Sequence, residues 1–426
     1  MNNLFVSLGL MLCLGAYGCS SNPTTSALEK GESPASSELT LGAPKYEEPQ
    51  VTSQPTPESF ENDPDSTPHD PKISPVLYDG EDDRPPKLTQ GGVTARENEF
   101  KGEVYPLWFA TNRKPVLKDS TFSDYSNASD SSVHYGKVFV EIPEDYLKSL
   151  RNQTWLKRIL IKSPETTITV RKPITITRSE MFMDIQKELQ PLTTDERVAL
   201  IYIHGFQTTF VEAAQRAAGI GYQLKIPITA FFSWPSKGKL AGYEADRNSV
   251  EVSDEQLARF LIDFTRESNA NRVHILAHSM GNYALLRAMY RPVMQEALKK
   301  GLKFGQIILA APDVDARVFA RDSYVLANAA TRVTIYASAN DIALSASAKL
   351  AAFQRAGSMP PPTIISGLDT LDVSSVNLSF LGHSYIAGEI AVLEDISKIL
   401  LHNDPPTRRT RLTPMKFGSS LYWVLQ

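Results

Sequence analysis

A serine lies at the junction between an apolar run and a helical pattern in residues 272–286, RVHILAHSMGNYALL. Ala277 and Gly281, two residues before and two after Ser279, are small, so the predicted strand and helix can approach each other closely. Such a turn holds the serine in a strained conformation and points its hydroxyl away from the sheet. The pattern predicts a nucleophile elbow, because a serine that only caps a helix would not need an apolar strand before it.

A serine hydroxyl needs a base to accept its proton, and a third group to hold that base in the right tautomer. The histidines beyond residue 200 are His204, His274, His278, His383 and His402. His383 is the predicted base, since it falls in the loop before the last predicted helix, where a triad of the order Ser, Asp, His places it. The alternative is an exposed loop histidine without a catalytic role.

The acid should follow a strand between the serine and the histidine. Asp341, in ASAND, follows the predicted strand 333–336 and is the predicted acid. Asp313 and Asp315, in AAPDVD, follow the preceding strand and remain alternatives. Each of these aspartates could instead cap a helix.

Acyl transfer also needs hydrogen-bond donors for the oxyanion of the tetrahedral intermediate. The sequence HGFQ directly follows the predicted strand 198–203, and its glycine permits a close approach. We expect the backbone N–H of Phe206, or of Gln207, to face that of Met280 across the site. Gln207, Trp234, Tyr243 and Asp246 are candidates to line the substrate site.

The pattern of strands and helices that must position these residues predicts a doubly wound α/β sheet. From residue 197, continuous apolar strands alternate with amphipathic helices, which is typical of a mostly parallel sheet covered on both faces. The predicted strands are 198–203, 228–232, 273–276, 307–310, 333–336 and, more weakly, 372–376. The predicted helices are 179–189, 209–224, 254–268, 282–300, 316–329, 343–355 and 384–401. Earlier runs near 104–113, 137–143, 158–162 and 166–178 predict antiparallel edge strands, with a polar loop at 118–132.

The chain of 426 residues is 42% hydrophobic and 22% charged, enough for one large α/β domain. We assign residues 1–18 to a signal peptide, 19–95 to a disordered tether, 96–403 to the domain and 404–426 to a C-terminal tail. AYGC resembles a bacterial lipobox and predicts lipidation of Cys19, although Ala16 and Gly18 also suit ordinary cleavage. We therefore expect a lipid-anchored protein of the bacterial cell envelope, most simply the outer membrane, or else a secreted or periplasmic one.

Charge and composition limit the classes of binding partner and cofactor that we expect. The net charge is −4, and outside residues 20–90 the chain carries 39 Lys/Arg against 34 Asp/Glu, which gives no case for nucleic-acid binding. The body beyond Cys19 contains no cysteine, and no predicted helix carries a pair of histidines at helical spacing, so we expect neither a metal nor a cofactor. The oligomeric state is left open.

Nine motifs carry a family resemblance. They are FATNR (109–113), HYGKVFVEIP (134–143), HGFQTTF (204–210), FSWPSKG (232–238), GYEAD (242–246), AHSMGNYALL (277–286), LAAPDVD (309–315), YASANDIAL (336–344) and LGHSY (381–385). Together they resemble the bacterial α/β-hydrolase family of unknown function 900 over about residues 104–401. The resemblance implies an α/β-hydrolase fold with Ser279 as nucleophile and His383 as base.

The expected function is that of an exported esterase-type hydrolase acting on a small-molecule or lipid-like ester, through an acyl-enzyme on Ser279. Thioesters and amides are the other substrates that such a triad can attack. The competing hypothesis is a catalytically silent lipoprotein that uses a hydrolase fold for envelope attachment or assembly.

Overall fold

The computed structural model describes residues 102–143, 168–239, 242–341, 344, 353–375 and 389–426. The signal peptide, Cys19, the tether, the predicted strand 158–162, most of the predicted helix 343–355 and His383 lie outside these ranges. Within the described ranges, no helix has both the length and the apolar character needed to cross a membrane.

Twelve strands of the described residues form one mixed sheet. They are β1 (Gly102–Lys118), β2 (Thr121–Pro143), β3 (Thr169–Val170), β4 (Ile174–Ile176), β5 (Val198–Ile203), β6 (Ile228–Ser233), β7 (Arg272–His278), β8 (Phe304–Ala310), β9 (Ala330–Ala337), β10 (Asp369–Asp372), β11 (Leu412–Phe417) and β12 (Ser420–Leu425). Their order is β11-β12-β10-β9-β8-β7-β5-β6-β1-β2-β3, with β4 also paired to β2. Every pair from β12 to β1 is parallel, and β2, β3 and β4 pair antiparallel at the N-terminal edge. The predicted sheet is confirmed.

The helices of the described residues pack on both faces of this sheet. They are α1 (Arg178–Leu189), α2 (Phe210–Gln223), α3 (Tyr243–Glu267), α4 (Met280–Met289), α5 (Pro292–Lys299), α6 (Ala316–Asp322), α7 (Tyr324–Ala329) and α8 (Glu389–His402). Along β5, Ile201 and Ile203 join one core while Leu200 and Tyr202 join the other. Because the central strands are buried on both faces, they read as unbroken apolar runs rather than as alternating ones.

The N-terminal hairpin differs from its prediction. Residues 118–132 were expected to form a polar loop, but β1 and β2 stay paired up to Lys118 and Thr121. The turn consists of Asp119 and Ser120, both in the left-handed region with φ of 50° and 62°. The register of β1 with β6 ends at Thr111, so the hairpin extends beyond the carboxyl end of β6. The polar residues that suggested a loop belong to this extension, where both strands meet solvent.

The C-terminal segment also differs from its prediction. Residues after 403 were expected to be a separate tail, but β12 pairs in parallel with β10 and Leu425 is fully buried. Arg409 is 2% exposed and donates to Asp395 at 2.8 Å. The segment therefore completes the sheet, since Arg409 meets the buried carboxylate of Asp395 and the apolar end of the segment meets the core. β10 itself begins three residues earlier than predicted, at Asp369.

Candidate active site

Ser279 lies between β7 and α4 in the predicted strand–turn–helix arrangement. Its φ of 50° and ψ of −120° are a strained backbone conformation for a residue with a side chain. A Cβ at Gly281 would lie 2.5 Å from the Ile203 carbonyl oxygen, so the helix can pack this closely on β5 only with a glycine there. The Ser279 amide donates to the Ala310 carbonyl at 2.9 Å, which ties the elbow to the next strand.

The segment that we call the oxyanion loop, residues 204–208, lies directly against this elbow. A Cβ at Gly205 would come within 2.9 Å of the Ser279 Cβ. Met280 is the first residue of α4, where an amide N–H has no intrahelical acceptor. Among the described residues, neither the Met280 N–H nor the Phe206 N–H has a hydrogen-bond acceptor. The Gln207 N–H, in contrast, donates to Asp246 at 3.2 Å, so Phe206 is the better candidate donor of the loop.

Asp341 follows β9 at the carboxyl-terminal edge of the parallel strands, which also carries the elbow. It is partly exposed, and its Oδ1 accepts the Leu344 N–H at 2.9 Å. β9 pairs with β10, after which the chain continues toward His383. Since His383 is outside the described residues, the predicted triad is described for Ser279 and Asp341 only.

The two alternative acids have structural partners. Asp313 is 6% exposed; Arg355 Nε lies 3.1 Å from its Oδ1, and the Tyr243 hydroxyl donates to its Oδ2 at 3.0 Å. Its backbone N–H donates to the Ser279 carbonyl at 3.2 Å. Asp315 caps α6 through the Arg317 N–H and forms an ion pair with the Arg317 side chain. Asp313 therefore ties the segment beside the serine to Tyr243 and Arg355, whereas Asp315 caps its own helix.

The four predicted substrate-lining residues separate into two pairs. Trp234 and Asp246 are both 0% exposed, so neither can line a substrate site here, which corrects that prediction. The Trp234 indole N–H donates to the His204 carbonyl at 3.0 Å, and its ring stacks on His204 at 4.8 Å. Gln207 is exposed and Tyr243 is half-buried, with its ring edge-on to Phe206 at 5.3 Å. Gln207 and Tyr243 remain candidates to contact a substrate.

Three histidines are disfavoured as the base. Burial is the main cause that lowers the pKa of His274 and that of His278 to about 3, and burial lowers the pKa of His204 well below its usual range. His274 accepts the Gln306 N–H at 2.8 Å, and the Nδ1 of His278 has no hydrogen-bond partner among the described residues. A group that is so hard to protonate accepts the serine proton poorly. The rings of His204 and His278 are structural parts of the walls beside the elbow, whereas His274 lies in the core near the amino ends of β7 and β8.

Arg113 is a site residue whose role the sequence did not reveal. It is 0% exposed, and it donates to Ser233 Oγ at 2.8 Å, Asn127 Oδ1 at 2.7 Å and the Thr208 carbonyl at 2.7 Å. Burial lowers its pKa to about 9, with Asp246 foremost among the charges that oppose the shift, so the guanidinium is charged at neutral pH. It joins β1, the hairpin extension and the oxyanion loop. The FATNR motif contained this residue, but local sequence cannot show that its side chain points inward.

A protein family, a curated protein and a solved structure are similar to this chain. A family model described as "Alpha/beta hydrolase of unknown function (DUF900)" matches residues 179–402. The uncharacterized protein alr1448 of Nostoc sp. is 31% identical over 106 residues, covering 20% of this chain and 27% of that protein, so the chain spans about a quarter of this curated relative. The crystal structure of a predicted CIB-like hydrolase from Thermoplasma acidophilum is similar at 14% identity, with a TM-score of 0.28, over 49% of this chain and 89% of that chain. The family match contains the elbow, the oxyanion loop and Asp341.

Proposed function

The chain belongs to the alpha/beta hydrolase family of unknown function, DUF900, whose model matches more than half of it, and from that premise we propose that it is a serine hydrolase of esterase type. Ser279 is the proposed nucleophile, His383 the base and Asp341 the acid. The proposed substrate is a small-molecule or lipid-like ester or thioester. The observation that carries the proposal is the strained Ser279 backbone at a strand–helix junction, beside two amide N–H groups without acceptors among the described residues.

In the proposed reaction, Ser279 Oγ attacks the acyl carbonyl carbon while its proton passes to His383. The carbonyl π electrons move onto oxygen, and the N–H groups of Phe206 and Met280 donate to that oxyanion. Collapse of the tetrahedral intermediate breaks the bond to the leaving group, which takes the proton from His383. Water then attacks the acyl-enzyme by the same route, releasing the acid and restoring Ser279.

The donors suit this task because their positions are fixed before substrate binds. Met280 N–H is held by the start of α4, and the oxyanion loop is held by buried side chains. A preorganised donor needs no rearrangement as charge develops, and losing one costs about 3–4 kcal/mol of transition-state stabilisation in comparable enzymes.

Covalent labelling of Ser279 by a fluorophosphonate probe tests the proposal. The full-length protein should be labelled, and Ser279→Ala should not be, since the probe phosphonylates only an activated serine. A second measurement, hydrolysis of p-nitrophenyl acetate, should be lost in the same variant. A wild-type protein that is folded but neither labelled nor active supports the competing proposal, a catalytically silent envelope protein.

The proposed location is the cell envelope, through a lipid on Cys19 and the acidic, proline-rich residues that follow it. Twelve of the 28 prolines lie in residues 20–95, a composition that favours an extended spacer between membrane and domain. Cys19→Ser should release the protein from the membrane fraction of a bacterial host. Continued membrane partitioning of an exported Cys19→Ser variant would contradict lipid anchoring.

A further inference from the structure

We propose that Asp246 and Arg113 form a buried pair of positioning residues that holds the oxyanion loop in its donating conformation. The inference rests on the proposed function and adds to it the residues that aim the Phe206 N–H. Neither residue contacts substrate, because both side chains are fully buried.

Asp246 braces one side of the loop from the first turn of α3. Its Oδ2 accepts the Gln207 N–H at 3.2 Å and the Ser236 hydroxyl at 2.5 Å, while Oδ1 accepts the Lys237 N–H at 2.6 Å. Three donors converge on one carboxylate, and a carboxylate is the side chain that only accepts. The loop and residues 236–237 are therefore tied to the same helix turn.

Arg113 braces the other side. Its Nη2 donates to the Thr208 carbonyl at 2.7 Å, and the Thr208 N–H donates to Ser236 Oγ at 3.0 Å. Ser236 in turn donates to Asp246, so an unbroken chain of hydrogen bonds runs from Arg113 through Thr208 and Ser236 to Asp246. A positive and a negative side chain thus enclose the end of the loop without direct contact with Ser279.

The brace acts on a strained residue. Gln207 has a φ of 54°, which a residue with a side chain rarely adopts. Its hydrogen bond to Asp246 fixes the peptide plane between Phe206 and Gln207, and this restrains rotation about the Phe206 backbone bonds and hence the neighbouring peptide plane, which carries the Phe206 N–H. If the bond is lost, Gln207 can relax and the N–H turns away from the position of the oxyanion.

Asp246→Asn in the full-length protein tests the pair, with p-nitrophenyl acetate as substrate. The amide can still accept the Lys237 N–H, but its NH2 group then meets the Gln207 N–H and cannot accept it. We expect kcat/KM to fall about 10- to 100-fold, less than the roughly 100- to 1,000-fold typical of deleting a donor. The Ki of phenylboronic acid, which mimics the tetrahedral intermediate, should rise by the same factor.

Ground-state binding separates positioning from a general loss of structure. The Ki of 4-nitroacetanilide, a planar amide analogue of the substrate, should change by less than about twofold, because the oxyanion donors act mainly in the transition state. The matched control is Asp254→Asn, a buried aspartate two turns later on α3 that pairs with Arg287 and Arg291. It should lose stability without a change in kcat/KM.

A second variant, Ser236→Ala, tests the inference if Asp246→Asn folds poorly. Ser236→Ala removes the hydroxyl that links Thr208 to Asp246 and should lower kcat/KM several-fold, with the phenylboronic acid Ki following. Equal kcat/KM in wild type, Asp246→Asn and Ser236→Ala, or equal losses in Asp246→Asn and Asp254→Asn, would overturn the inference. An inactive wild type with an unlabelled Ser279 would instead refute the proposed function on which it rests.

Discussion

The assignment of the acid makes opposite predictions for two aspartates, Asp341 and Asp313. Asp341→Asn keeps the shape of the side chain but removes the charge that, in the proposed triad, holds His383 in its reactive tautomer, so kcat should fall about ten-thousandfold. Asp341 is partly exposed, and the amide can still accept the Leu344 N–H, so the free energy of unfolding should change by less than about 1 kcal/mol.

Asp313→Asn should show the reverse. Asp313 and Arg355 are 6% and 1% exposed, and the substitution removes the charge of a buried pair. Losing one member of such a pair costs about 3–5 kcal/mol, and we expect the lower end because the amide can still accept the Tyr243 hydroxyl. The kcat per folded molecule should stay within about tenfold of wild type, since a misplaced loop costs less than a missing acid.

Urea unfolding followed by circular dichroism gives the free energies of unfolding. Hydrolysis of p-nitrophenyl acetate gives kcat, for which the concentration of active sites is taken from the fraction of wild-type protein that reacts with the fluorophosphonate. A strongly impaired but stable Asp313→Asn protein, together with an active Asp341→Asn protein, would refute the reasoning. The acid would then follow β8 rather than β9.

Two further predictions concern stability. The pKa of His274 is about 3 in the folded protein against 6.5 for an ordinary histidine. As the pH falls from 6.5 toward 3, the unfolded chain therefore takes up a proton at this residue and the folded protein does not, so the free energy of unfolding decreases. His274→Gln, which can still accept the Gln306 N–H, should lower the slope of unfolding free energy against pH by about 1.4 kcal/mol per unit between pH 6 and 4, and an unchanged slope in urea titrations would contradict this. Arg409→Leu should cost about 3–5 kcal/mol in urea unfolding, because Asp395, which also accepts the Tyr336 hydroxyl, loses its buried cation. If the variant is as stable as wild type, the C-terminal segment is not fixed by this pair.

Local patterns predicted the positions of the central parallel strands along the chain and the turns that end two of them. Continuous apolar runs are the consequence of burial on both faces, and the burial of β5, β6 and β8 follows directly from those runs. Gly281 and Gly205 marked the close approaches at the elbow because only a glycine fits against a neighbouring backbone or side chain. The apolar runs depend on residues that are near each other in sequence, and each glycine stands out by its place in a local motif, although the atoms that it approaches belong to a distant segment.

The roles of the polar residues around the site were decided only by the tertiary structure. The sequence pattern around an aspartate does not show whether its side chain faces solvent, a substrate or a buried donor. In the structure Asp313 pairs with an arginine, and Asp246 accepts hydrogen bonds from three donors. Arg113 reaches Thr208 across 95 residues of chain, and Arg409 meets Asp369 across 40. Which charges become buried together depends on how distant segments pack, and no local period of the sequence encodes that packing.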